Sequence, residues 1–197
     1  MVEILENYDY EIILLLQSIM NHSGVIDQAI TLFASDYLIP VSISLIMTYA
    51  WFGSKEPNSR LKHQLATLTA VASLATTNLS ILILNLFLFR PRPYDSHNVE
   101  VFFYMPTDSS FPANSVAATF ALTMPFIFFR LSIGLTLAFC SAILGLTRIL
   151  VGVHYPTDIL GAICLATSLS FIITVIFKKY RTRLEKIVGL AHRILFA

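Results

Sequence analysis

The sequence predicts an all-α polytopic membrane bundle of about five spans, preceded by an interfacial helix near the N-terminus. Three observations carry that prediction. Hydrophobic residues make up 56% of the 197 positions, and charged residues only 13%, about half the usual share in a soluble domain. Mean hydropathy is +0.73. Uncharged stretches of bilayer-spanning length recur along the chain. A soluble domain of this size needs more polar surface than these residues supply, and disorder needs low hydrophobicity and high net charge. The length suits one domain over residues 1–197. The net charge of +1 gives no global attraction to nucleic acid. Cys140 and Cys164 sit inside apolar runs and read as packing residues.

In chain order, the acidic N-terminus (MVEILENYDYEI) lacks the basic start of a signal peptide. The run 12–26 is short and carries Gln17, Asn21, His22 and Ser23, so residues 1–27 read as an interfacial segment. Spans are expected at 37–54, 64–89, 109–129, 131–147 and 159–177. Tyr49 and Trp51 near the end of the first suit a headgroup belt. Residues 181–197 alternate bases with apolar residues at roughly helical spacing and read as an amphipathic tail.

The charges orient the bundle. Lys55, Arg60, Lys62, Arg130, Lys178, Lys179, Arg181, Arg183, Lys186 and Arg193 all fall on one side of a five-span arrangement. The positive-inside rule makes that side cytoplasmic, with the C-terminus. The opposite side carries ten of the twelve acids but only Arg90, Arg92 and Arg148 as cations. The expectation is a multi-pass protein of the plasma (inner) membrane, with its site facing out of the cytoplasm.

Those three arginines break the charge rule, and ionisable groups at such depth mark function. They lie in FRPRPYDSH (89–97) and GLTRILVGVHYPTDILGA (145–162), with SSFPANSVAATFA (109–121) between. Pro156 breaks a continuous helix, so 151–156 is a turn that brings Asp158 toward His154. A carboxylate on one imidazole nitrogen fixes the tautomer and raises the basicity of the other. Two readings stand here: a nucleophilic histidine beside an anion-holding arginine, or an interfacial salt bridge with Asp158 capping its helix. Ser110 and Pro112 mark a helix start, whose free N–H groups attract phosphate; an ordinary capped span is the alternative. Two arginines and a helix N-terminus around one histidine suit phosphoryl transfer, which needs mainly positioning and charge stabilisation.

These stretches resemble the type 2 phosphatidic acid phosphatase superfamily of integral-membrane lipid phosphatases. Its third motif is Ser-Arg, five residues, His, three residues, Asp; here it reads Thr147-Arg148, ILVGV, His154, YPT, Asp158. The first motif keeps Arg92-Pro93. Within the superfamily, RPRP, SFP and VGVHYPTDILG look most like the bacitracin-resistance type of undecaprenyl diphosphatase. The resemblance implies that His154 is a nucleophile forming a phosphohistidine and that Asp158 orients it. It implies that Arg92 and Arg148 hold phosphate oxygens with backbone N–H groups near Asn114 and Ser115. The partner is a lipid phosphate or diphosphate, and no metal or cofactor is implied.

Three positions depart from the pattern. Asn85 stands at the first-motif Lys, and Ala113 and Ser115 stand at the Ser and His of the second. Arg90 is a candidate substitute for the lost Lys charge, and His97, in the same outer loop, a candidate proton donor. His22 reads as interfacial, and His63 and His192 fall on the cytoplasmic side. The missing His is the family's general acid, and such a loss costs about 10²–10⁴ in rate. A diphosphate suffers less, because its leaving phosphate ester has a second pKa of about 6. A lipid diphosphatase is therefore the first expectation. A non-catalytic relative that binds lipid phosphate, and a lipid phosphotransferase, are the alternatives.

Overall fold

The apolar runs fold as helices. The structure, a computed structural model, describes residues 2–18, 20, 24–97 and 99–185, with side chains from Glu6 onward. Those residues hold eight helices and no strand: α1 (Val2–Gln17), α2 (Gly24–Ala34), α3 (Leu38–Gly53), α4 (Pro57–Phe87), α5 (Pro93–Ser96), α6 (Asn114–Phe129), α7 (Leu131–Leu150) and α8 (Pro156–Lys179). Proline opens α4, α5 and α8, where its missing N–H is no loss and its fixed φ suits the first turn.

Helix α6 is apolar on every face, and a helix of that kind belongs in the interior. It packs against α4, α7 and α8, and Val116, Ala117, Phe120, Ala121 and Phe126 on it are buried. Small residues on its neighbours (Ala66 and Ala70 on α4, Ala162 and Ala166 on α8) are fully buried and let the backbones approach closely. The outward faces of α4 and α8 carry exposed Leu79, Leu82, Leu86, Leu160, Phe171 and Val175, as a lipid-facing surface requires.

Three helices, α4, α7 and α8, are long and apolar enough to cross a bilayer. Helices α2 and α3 pass the same test together but bend by 54° at their junction. Helix α6 is apolar but only 16 residues long, about 24 Å at 1.5 Å per residue. The five expected spans thus become three full-length helices, one bent pair and one short buried helix. The reason lies at 109–113: the run expected to span from residue 109 spends its first five residues on a loop with a cis Phe111–Pro112 bond.

The N-terminal segment also differs from expectation. The run 12–26 is not one helix, because α1 ends at Gln17 and α2 begins at Gly24. Helix α1 packs on α7 and α8, burying Ile13 while Tyr8 and Leu15 stay exposed. Gln17 Nε2 donates to the carbonyl of Glu100 at 2.7 Å and ties α1 to the loop after α5. In the expected tail, Arg181 pairs with Glu185 at 2.7 Å. Its residues 186–197 lie outside the described residues, as do His22 and His192.

Candidate active site

The sequence motifs meet at one end of the bundle. They stand at the C-terminal ends of α4 and α7, the N-terminal ends of α6 and α8, and in the loops between. The 151–155 turn delivers His154. Gly152 makes the turn possible with φ +78°, a conformation that favours glycine. A Cβ there would lie 2.6 Å from the Glu100 carbonyl oxygen. A second glycine, Gly161, leaves room for Phe111: a Cβ at 161 would lie 2.3 Å from that ring. Phe111 thereby fixes the 108–113 loop against α8. Backbone bonds from Ser110 N–H to the Arg90 carbonyl (2.9 Å) and from Ala113 N–H to the Asp158 carbonyl (3.4 Å) complete the clamp.

His154 is 3% exposed. Its Nδ1 lies 2.9 Å from the Ser110 carbonyl oxygen, and Arg92 Nη1 lies 3.4 Å from its Nε2. A carbonyl only accepts and a guanidinium only donates. Nδ1 therefore carries the proton, and Nε2 presents its lone pair toward Arg92. Burial pushes the imidazole below its ordinary pKa, the Arg92 and Arg148 charges push it further, and Asp158 opposes them. The ring is accordingly neutral at pH 7, as a nucleophile must be.

Asp158 is fully buried, but it is not directly bonded to the histidine. Its Oδ2 stands 3.9 Å from Nδ1, so the expected carboxylate–imidazole hydrogen bond gives way to the Ser110 carbonyl. The carboxylate oxygens are taken by other donors. Oδ2 accepts from the Ser110 hydroxyl (2.5 Å) and the Tyr155 N–H (2.9 Å), and Oδ1 accepts from Arg90 (2.5 Å). Asp158 thus reaches His154 through the Ser110 segment and through space.

Arg90, the candidate substitute for the lost Lys charge, is held by side chains of α1 and α8. Its guanidinium donates to Asp158, to Asp9 (2.8 Å) and to the Thr157 hydroxyl (2.7 Å), and lies over the Tyr155 ring at 4.1 Å. All of these hold it behind the histidine.

Arg92 and Arg148 are 3% and 2% exposed. Arg92 donates to the Val153 carbonyl (2.8 Å) and the Asp108 carbonyl (3.1 Å), and pairs with the Asp108 carboxylate at 2.6 Å. Asp108 also accepts from Asn114 Nδ2 at 2.9 Å. Arg148 pairs with Asp36 and lies over the Phe103 ring at 4.9 Å. Its buried Nε finds no partner among the described residues. The two carboxylates are far more open than the arginines they hold, at 49% and 37% side-chain exposure.

Ala113 caps α6 without any side-chain hydrogen bond, and Asn114, the first residue of that helix, reaches Asp108 by its side chain. Asn85, on the last turn of α4, has a buried Oδ1 without a partner among the described residues. No described hydrogen bond joins it to His154, Arg92 or Arg148. His97 is half-buried, stacked on Tyr10 at 4.6 Å and edge-on to Tyr155 at 6.2 Å. His63 is buried in α4 near the opposite end, bonded to Ser54 and Ala50. The described residues hold no group of three or more His, Cys, Asp or Glu side chains able to bind a metal.

Sequence reading missed Asp9, Asp36 and Asp108 as site members and gave Ser110 only a helix-start role. The one available signal was the crowding of acids on the side of the three arginines; nothing local says which acid meets which base.

Buried arginines around a neutral histidine, at the mouth of an all-helical bundle, define a class. Residues 66–182 match the PAP2 superfamily, and the chain belongs to it. Helices of spanning length and this family membership make it a membrane protein. It is 31% identical, over 187 residues, to the undecaprenyl-diphosphatase BcrC of Bacillus subtilis (strain 168), covering 94% of this chain and 91% of that protein. Its fold is similar to the crystal structure of a transmembrane PAP2-type phosphatidylglycerolphosphate phosphatase from Bacillus subtilis, with TM-score 0.65, 17% identity and 88% and 86% of the two chains covered. Aquifex aeolicus LpxE is similar in the same way, with TM-score 0.63, 20% identity and 83% and 92% covered.

Proposed function

We propose that the protein hydrolyses a polyprenyl diphosphate lipid, undecaprenyl diphosphate or one like it, through a phosphohistidine on His154. The observation that carries this reading is the state of that imidazole: buried, neutral, protonated on Nδ1 and directing the Nε2 lone pair at Arg92. The terminal phosphate docks between Arg92 and Arg148, with the α6 amides at Asn114 and Ser115 and the side chains of Asn85 and Ala113 on its border. Nε2 attacks phosphorus, the N–P bond forms and the bridging P–O bond breaks. The lipid monophosphate leaves with that electron pair. Water then attacks phosphorus, the N–P bond breaks, and inorganic phosphate departs. Asp158, held by Ser110 and Tyr155, stabilises the imidazolium through both steps.

The second motif points to a diphosphate. Ser115 offers no imidazole to protonate an alkoxide, but a phosphate ester leaves largely unaided at neutral pH. The charge pattern supports an extracytoplasmic site and a cytoplasmic C-terminus, since Lys55, Arg60, Lys62, Arg130 and Lys178 cluster at the far end of the same bundle.

A second reading has its own observation. Asp108 and Asp36 occupy the arginines that a phosphate would use, and Asn85 and Ser115 remove two family cations or acids. These features suit a relative that binds lipid phosphate without turning it over. Phosphate release from mono- and diphosphate lipids, with His154→Ala beside wild type, separates the two. Release from the diphosphate lost in His154→Ala supports the hydrolase. A silent wild type that gains release with Asn85→Lys, Ala113→Ser and Ser115→His supports the binder. Transfer to a second lipid in place of water marks a phosphotransferase.

A further inference from the structure

Asp9 lies on α1, 81 positions before Arg90, yet it is 2% exposed and bonded into the site. Its Oδ2 accepts from Arg90 Nη2 at 2.8 Å and from the Thr157 hydroxyl, and its Oδ1 accepts from the Thr157 N–H at 3.1 Å. Arg90 turns its other nitrogen to Asp158 at 2.5 Å. The result is a chain of three charges, Asp9–Arg90–Asp158, ending 3.9 Å from His154. A buried carboxylate needs paired donors to be tolerated, and each member here is paired.

The arithmetic of the chain matters for the histidine. Arg90 alone would neutralise Asp158 and leave the group behind His154 with no net charge. Adding Asp9 restores a net charge of −1 to the group behind the imidazole. We propose that Asp9 and Arg90 are positioning residues that together set the electrostatic support of His154: Arg90 fixes the Asp158 carboxylate, and Asp9 offsets the Arg90 charge so that Asp158 still acts as an anion on the ring. The catalytic consequence rests on the phosphohistidine reading; the electrostatic one does not.

The groups that face this unit come from every element packed on it. Arg92 and Asp108 approach from the loops flanking α5, the Ser110 carbonyl from the loop before α6, and Arg148 from α7 with Asp36 behind it. Tyr155 and Thr157 stand at the start of α8, and His97 stacks between Tyr10 of α1 and Tyr155. Thr157 bridges the pair, its hydroxyl accepting from Arg90 and donating to Asp9.

The two variants have opposite expected signs, which a merely structural role does not produce. Removing Asp9's charge leaves Arg90 to neutralise Asp158, so the His154 pKa falls. Removing Arg90's charge leaves two acids behind the ring, so it rises. The experiment is a titration of ring-labelled histidine by NMR on the full-length protein in micelles, with the His154 signal assigned through His154→Gln. Asp9→Asn lowers the His154 pKa and Arg90→Gln raises it, each by about one unit, and Asp9→Glu returns it toward wild type. Shifts in the same direction, or none, overturn the proposal. Should Asp9→Asn fail to fold, Arg90→Gln decides alone: a fall or no change overturns it. Where the wild type releases phosphate, the acid limb of kcat/KM moves with these pKa values. A wild type that releases none defeats the hydrolase reading while the titration still tests the charge relay.

Discussion

Asp108→Asn tests whether the carboxylate on Arg92 stands where phosphate binds. Asp108 is half-exposed, while the Arg92 side chain that it pairs with at 2.6 Å is 3% exposed. Fully exposed ion pairs are worth roughly 0.2–1 kcal/mol. One buried partner puts this pair near the top of that range, at about 1 kcal/mol. A ligand anion that takes Arg92 must displace that interaction. The asparagine keeps the shape and the contact with Asn114 but removes the competing charge, so phosphate affinity rises about fivefold. Calorimetric titration of the full-length protein with inorganic phosphate measures this without requiring turnover. The gain shrinks at high salt, because the mouth of the site is open and screened. Unchanged or weaker phosphate binding in Asp108→Asn refutes the competition. It would mean that the carboxylate holds Arg92 in the geometry that phosphate needs.

Three further outcomes follow from the same geometry. Activity on a diphosphate lipid falls on the acid side below the ordinary histidine pKa of 6.5: burial holds His154 neutral to lower pH, and protonation of Nε2 removes the attacking lone pair. A kcat/KM profile whose acid limb lies above 6.5 contradicts that state. Gly152→Ala lowers the thermal midpoint, since a left-handed alanine alone costs about 1–2 kcal/mol and its Cβ would meet the Glu100 carbonyl at 2.6 Å; a scanning measurement in detergent reads the shift. Asn85→Lys with Ala113→Ser and Ser115→His raises hydrolysis of a lipid monophosphate by about 10² or more but changes diphosphate hydrolysis less, as phosphate-release assays on both lipids will report.

Much of the fold is legible because the relevant patterns are local. The runs behind α3, α4, α7 and α8 announce themselves by composition, and Pro156 announces the start of α8. Helix α6 is legible only in part: its apolar run extends from residue 109, but Pro112 and the clamp on Ser110 hold 109–113 as loop until Asn114. The break between α1 and α2 is missed because Gln17, Asn21, His22 and Ser23 read equally as the polar face of one interfacial helix. At the site, His154, Asp158, Arg148 and Arg92 follow from motif and turn spacing, and the structure gathers them at one end of the bundle.

A membrane helical bundle with a histidine, an aspartate and arginines at one mouth can be read from contiguous residues, because apolar run length and short-range spacing are local properties. Which charge meets which depends on the packing of distant helices. Arg90 bridges Asp158 and Asp9, the Ser110 carbonyl accepts a hydrogen bond from the imidazole Nδ1–H, and Asp36 closes on Arg148 across 112 positions. A buried ion must find a partner wherever the packing of distant helices brings one, and no local pattern encodes which helix that will be.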